Sequence, residues 1–230
     1  MADNVIQQQI EYYRARAGEY DEWFYRKGRY DRGTDLNQSW FDEVGIVLQA
    51  LQSLPKPEHV LELAAGTGIW TQELAKIGAH VTAIDASAEV IAINQAKLQN
   101  AQIDYQQRDL FAWEPEREYD LVFFSFWLSH VPPERLDPFL EKVRRATKPG
   151  GYVFALDSLP DDTSSAKDHE PYGSDGIYHT RKLNDGQEFK IVKIFYEPEA
   201  LQQKLAEHGF EATVQSSGRY FWYAQGRKKD

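Results

Sequence analysis

The chain has no cysteine in its 230 residues, which excludes disulfides, thiolate nucleophiles and Cys-ligated zinc together. It has no apolar run approaching the roughly 20 residues needed to cross a bilayer, and its first residues lack the apolar core of a signal peptide. A cytoplasmic location with no membrane partner is the expectation. Positive charge is also short: 26 Lys and Arg stand against 36 Asp and Glu, a formal net charge of -10. The summed field repels phosphate backbones, so nucleic acid is not an expected partner. The basic clusters Arg144-Arg145 and Arg227-Lys228-Lys229 are short and read as a solvated helix end and a chain terminus. Gly-Lys-Ser and Gly-Lys-Thr are absent, which removes the phosphate-binding P-loop. Without cysteine or clustered histidine, no metal is expected.

What is present is ordinary globular material, 42% hydrophobic and 27% charged, and the length suits a single α/β domain over 1–230. The first 30 or so residues combine helix formers with Tyr12, Tyr13, Tyr20, Trp23, Phe24, Tyr25 and Tyr30. This leader reads either as an amphipathic helix packed on the body or as a lid over a ligand cleft, and the two are compatible. The spacing predicts a helix over 37–54, stopped by Pro55 and Pro57. The helical lid thus occupies 1–54.

From His59 strands and helices alternate: strands at 60–63, 81–84, 104–107, 120–124 and 152–156, helices at 71–77, 88–98 and 133–147. Pro149-Gly150-Gly151 reads as the turn into the fifth strand. A polar stretch to about residue 174 reads as a loop, and Asn184-Asp185-Gly186 joins strands at 178–183 and 187–196 as a hairpin. A helix at 198–208 and strands at 212–215 and 220–224 follow. The expectation is a three-layer α/β sandwich with a mainly parallel seven-stranded sheet. Its core spans 58–157, an insertion spans 158–196, and a last helix and strands span 197–230.

The segment Leu61-Glu62-Leu63-Ala64-Ala65-Gly66-Thr67-Gly68 puts an acid in the first strand and small residues at the turn into a helix, where backbone can approach a ligand closely. Glu62, Ala64, Gly66 and Gly68 follow the first motif of the class I S-adenosylmethionine-dependent methyltransferases, which the chain resembles over residues 60–157. Ala64 replaces the usual first glycine, a change the backbone bears at negative φ. The resemblance implies a Rossmann-like fold and S-adenosylmethionine as cofactor. It places Asp85, at the end of the second strand, on the ribose hydroxyls and Asp109 on the adenine amino group, with Leu110 and Phe111 near the ring. Thr67, Ala86 and Ser125 complete the implied cofactor contacts.

Two rivals remain. A nicotinamide-dependent oxidoreductase needs G-x-G-x-x-G, but Thr71 occupies the third position counted from Gly66, and Glu62 sits awkwardly near a pyrophosphate. A non-catalytic module could keep the cofactor pocket. Methyl transfer needs in-line positioning, exclusion of water and, for a protonated acceptor, a base. His130, just past the fourth strand where the family builds its transfer site, is the candidate base; an alternative role is to order that loop. His169 and His179 are runners-up. Tyr12, Tyr13, Phe126, Trp127, Tyr172 and Tyr178 are candidate walls for a small acceptor, expected to be aromatic or apolar and to carry a hydroxyl or amine.

Overall fold

The computed structural model describes residues 2–100, 102–169 and 176–230; the expected wall residue Tyr172 lies outside them. The strands are β1 (His59–Leu63), β2 (His80–Asp85), β3 (Ile103–Gln107), β4 (Tyr119–Ser125), β5 (Thr147–Ser158), β6 (Tyr178–Lys182), β7 (Glu188–Val192), β8 (Phe210–Ser216) and β9 (Phe221–Lys228). Seven of them form one sheet in the order β3-β2-β1-β4-β5-β9-β8. The pairs among β1 to β5 are parallel, while β9 runs antiparallel to both β5 and β8. Strand order reverses between β1 and β4, and in such sheets the crevice outside the carboxyl ends at that switch receives the ligand.

Alternation along the central strands sorts the core onto two faces. Val60, Leu121, Phe123 and Phe154 pack in one cluster, and Leu61, Val122, Phe124 and Val153 in the other. All are buried, so both faces need helical cover. The helices are α1 (Ala2–Ala15), α2 (Tyr20–Phe24), α3 (Thr34–Gln52), α4 (Thr71–Ile77), α5 (Ala88–Leu98), α6 (Pro133–Ala146) and α7 (Pro198–Glu207). Trp40, Val47 and Leu51 of α3, with Leu74 of α4, cover the first face; Phe139, Leu140 and Val143 of α6, with Leu201 and Leu205 of α7, cover the second. Among the described residues no helix is long and apolar enough to cross a membrane.

The structure departs from the sequence expectation at β5. Pro149-Gly150-Gly151 does not turn into the strand but lies within it: Tyr119 pairs with Thr147 and Leu121 with Tyr152, so extra residues are looped out against β4. The segment is a bulge, which takes up surplus length without ending the strand.

β6 and β7 form a separate antiparallel hairpin, with Gly186 at φ +91° in its turn. The second strand stops at Val192, short of the expected 196. The hairpin docks on α1 through Tyr12, Leu183 and Ile191. α1 thus packs on the hairpin, and its residues Gln9, Ile10 and Tyr13 border the crevice.

Candidate active site

The crevice at the β1/β4 switch opens into a cleft of about 780 Å³. Ala64, Gly66, Asp85, Ala86, Asp109, Leu110, Phe111 and Ser125 line it, eight of the expected cofactor contacts, and Gln9, Ile10 and Tyr13 of α1 roof it. A Cβ added to Gly66, at φ +55°, meets nothing within 4 Å and would enter open space. Thr67 faces a smaller recess of about 270 Å³ that shares Ala64, Gly66, Ser125 and Phe126 with the cleft. Its hydroxyl donates to Asp21 Oδ1 at 2.5 Å.

Asp85 sits at the end of β2 because the strand is apolar up to its rim. One carboxylate oxygen accepts the Gly66 N–H and the other the Ser87 N–H, both at 2.9 Å. It therefore pins the glycine turn to β2 while facing the cleft. Burial raises its pKa, and these backbone donors work against that rise. Asp109 is exposed at the rim and orders its own loop by accepting the Phe111 N–H at 2.9 Å. Phe111 and Trp127 stand 5.3 Å apart, centroid to centroid, as a flat aromatic wall.

Three motif positions differ from expectation. Ala64 has φ +57°, not the negative angle its side chain prefers; the turn keeps the geometry of a glycine and carries a strain of about 1–2 kcal/mol. Glu62 does not line the cleft. It is buried beneath the loop, one carboxyl oxygen has no partner, and burial pushes its pKa up to about 8. Gly68 is also withdrawn: a Cβ there would stand 2.6 Å from Asn94 Oδ1. Asn94 in turn donates to Thr71 Oγ1 at 2.8 Å and accepts from the Tyr105 hydroxyl at 2.9 Å. The second glycine makes room for this amide rather than for a ligand.

A second chamber of about 510 Å³ adjoins the cleft, and Tyr13, Tyr20, Phe126 and His130 line both. These four form the neck between them. The chamber wall includes the expected Tyr12 and, beside it, Tyr30, but also the buried cations Arg16, Arg181 and Lys193. Lys193 is answered by Asp157 at 3.1 Å. Arg16 donates to the Tyr30 hydroxyl at 3.3 Å and lies over the rings of Tyr12, Tyr20 and Tyr30. No carboxylate of the described residues pairs with it, and its Nε has no partner. Reading the sequence missed these cations. Arg16 left a trace: one residue past the end of α1, it continues the helical spacing of Gln9, Tyr12 and Tyr13, with its N–H still bonded to the Tyr12 carbonyl.

Two expected wall residues lie elsewhere. Trp127 lines the cleft, not the chamber. Tyr178 points to solvent because β6 alternates and its inward positions are His179 and Arg181. Of the runner-up histidines, His169 lines the chamber, and burial holds it down at about 4, with Arg181 adding to the effect. His130 is placed at the neck with both ring nitrogens engaged. Its Nδ1 lies 2.6 Å from the Val192 carbonyl and its Nε2 2.6 Å from the Tyr13 hydroxyl. Burial, reinforced by Lys193, lowers its pKa to about 3.

Comparison with known proteins yields one consistent picture. A family model described as "Methyltransferase domain" matches residues 60–151. A ubiquinone/menaquinone biosynthesis C-methyltransferase of Pseudoalteromonas translucida is 27% identical over 72% of this chain and 71% of its own. A ubiquinone biosynthesis O-methyltransferase of Coxiella burnetii is 31% identical over 53% of this chain, which spans 57% of that relative's length. Among solved structures, DhpI in complex with SAH is 36% identical, with 98% of this chain and 97% of that one covered and a TM-score of 0.78. DhpI with SAM and HEP is 35% identical, covers 97% of each chain and has a TM-score of 0.79.

Proposed function

The chain belongs to the class I S-adenosylmethionine-dependent methyltransferases, and from that premise we propose that it moves the methyl group to an oxygen of a small anionic molecule held in the second chamber. S-adenosylmethionine is the cofactor, and it supplies a methyl group already activated on sulfonium. The cleft suits it: open space faces the Gly66 backbone, two carboxylates stand at the ends of β2 and β3, and Phe111 and Trp127 offer a flat wall. In this reading Asp85 accepts from the ribose hydroxyls, Asp109 accepts from the adenine amino group, and Leu110, Phe111 and Trp127 flank the ring. The turn at Ala64 and Gly66, with Ser125 opposite, receives the amino-acid end. Glu62 and Gly68 support that turn from behind.

The observation that carries the anionic acceptor is Arg16, a buried guanidinium with no carboxylate partner among the described residues. A buried charge without a counter-charge is costly, so a chamber that keeps one is built for a ligand that completes it. Aromatic walls alone would suit an apolar acceptor; the cations among them favour a carboxylate or phosphoryl group. Arg16 and Arg181 would hold it, while Tyr20 and Phe126 keep water from the neck. An anionic oxygen has no proton to lose before attack, so the chemistry needs no base, in keeping with a His130 whose ring nitrogens are both engaged. DhpI has been solved with SAM and HEP together, and the two adjoining cavities here give room for a cofactor and a second small molecule. The relatives named above are methyltransferases or complexes with the methyltransferase cofactor, which sets the nicotinamide reading aside.

The test is calorimetric titration with S-adenosylmethionine and S-adenosylhomocysteine, with NADH and ATP as controls, followed by transfer of labelled methyl groups. The acceptor panel would pair small carboxylates and phosphoryl compounds with neutral phenols and amines of similar size. Turnover of the anions supports the reading. Turnover of the neutral members alone refutes it, and cofactor binding with no turnover at all would favour a non-catalytic module.

A further inference from the structure

The hydrogen bonds at the neck fix the direction of every proton in them. The Val192 carbonyl can only accept, so His130 Nδ1, 2.6 Å away, carries the ring proton. The imidazole stays neutral because burial opposes its charged form, which leaves Nε2 as a bare lone pair. The Tyr13 hydroxyl, 2.6 Å from Nε2, must therefore be the donor. Burial also raises the phenol pKa, so that proton is retained. The single hydroxyl hydrogen of Tyr13 is thus committed to His130, and its oxygen can offer only lone pairs to the neck it lines.

The arrangement is braced from three elements. Gln9 of α1 donates to the His130 carbonyl and accepts from the Val192 N–H, each at 3.1 Å. The Tyr13 ring stands edge-on to the imidazole, with centroids 5.3 Å apart. The phenol cannot turn its proton toward the neck without abandoning a buried acceptor.

We propose that Tyr13 is the sulfonium-recognising group of this enzyme: its proton-depleted oxygen favours the positively polarised methyl group of S-adenosylmethionine over the neutral thioether of S-adenosylhomocysteine. His130 is a positioning residue that acts through Tyr13. The hydrogens of a methyl group on sulfonium carry positive charge, and a lone pair attracts them by a weak C–H···O contact that a thioether product cannot make. The inference rests on the cleft being the cofactor site but not on the identity of the acceptor.

Calorimetric dissociation constants for S-adenosylmethionine and S-adenosylhomocysteine test it in four proteins: wild type, Tyr13→Phe, His130→Gln and His130→Leu. Tyr13→Phe is expected to weaken S-adenosylmethionine about three- to tenfold and to leave S-adenosylhomocysteine within about twofold. His130→Gln keeps the wild-type ratio, because its amide oxygen still accepts the phenol proton. His130→Leu frees that proton to face the methyl group and loses the ratio at least as fully as Tyr13→Phe. An equal effect of Tyr13→Phe on both ligands, or none on either, overturns the proposal, as does a His130→Gln variant that loses the ratio. Should His130→Leu fail to fold, the first two variants decide the matter alone. Failure of the wild type to bind S-adenosylhomocysteine would overturn the cleft assignment itself, and it is recognisable because no substitution is involved.

Discussion

Replacing Arg16 by methionine keeps the length of the side chain and removes its charge, and the structure lets both consequences be weighed. Arg16 is 7% exposed. It would lose one hydrogen bond, to Tyr30 at 3.3 Å, worth about 1 kcal/mol. It would also lose three cation–ring contacts with centroids 4.9 to 5.8 Å away, together about 1.5–3 kcal/mol. Against this stands the desolvation of a buried cation, several kcal/mol with no paired carboxylate to offset it. The terms nearly cancel, so urea unfolding of the unliganded Arg16→Met protein should give a stability within about 1 kcal/mol of wild type. Acceptor turnover should not survive so well: leaving a bound anion without one of its cations costs about 2–5 kcal/mol, a fall in kcat/KM of roughly 30-fold to several thousand-fold. Added phosphate should raise the melting temperature of the wild type and do so less in the variant. A loss of stability above about 3 kcal/mol would refute the reasoning, because it would make Arg16 a structural residue already satisfied by its rings. Unchanged kcat/KM on an anionic acceptor would refute it as well.

Gly68→Ala should destabilise by about 2–4 kcal/mol in urea, from an alanine forced to φ +92° and a Cβ pressed against Asn94; adding Asn94→Ser should restore the packing share, and full additivity of the pair would contradict the contact. Asp85→Ala should weaken both S-adenosylmethionine and S-adenosylhomocysteine by about tenfold or more through loss of a ribose acceptor, and equal affinity in calorimetry would remove Asp85 from the site. Two buried groups should tilt stability with pH in opposite directions. Glu62, raised to about 8 by burial, contributes stability that is fully present below its unfolded pKa and lost as pH rises through 8. His130, lowered to about 3, contributes stability present above 6.5 and lost as pH falls. Each can supply a slope of up to about 1.4 kcal/mol per pH unit. Below about pH 6.5 the two slopes oppose each other, so unfolding stability from pH 5 to 8 should lose its alkaline fall in Glu62→Gln, while His130→Gln should expose an uncompensated fall with rising pH on the acid side; an unchanged profile would mean the group is solvated.

The residues that line the cleft were legible where their positions follow from strand ends. Asp85 and Asp109 close apolar or alternating runs, and any parallel sheet puts such positions at its carboxyl edge. The backbone angle of Ala64 was not legible, because residue type biases φ without determining it, and the turn imposes its own geometry at +57°. Pro149-Gly150-Gly151 misled for a similar reason: a bulge and a turn need the same residues, and only pairing with β4 distinguishes them. The chamber was the least visible part. β6 belongs to a two-stranded hairpin with no buried partner sheet, so nothing in its pattern says that Arg181 turns inward and Tyr178 outward. That choice is made by α1, which lies far away in sequence. Arg16 stood on a readable helical face, but an arginine among tyrosines reads as a surface residue until the hairpin covers it.

The clasp between Gln9 and Val192 joins positions 183 residues apart. Contacts of such separation close late when a chain folds, since a long loop must be ordered before they repay it. During synthesis, which proceeds from the amino end, the strands that line the cofactor cleft are complete well before β7 emerges. The strands around the cleft thus emerge before the hairpin strand that closes the second chamber, and the sheet itself is completed only when β8 and β9 follow.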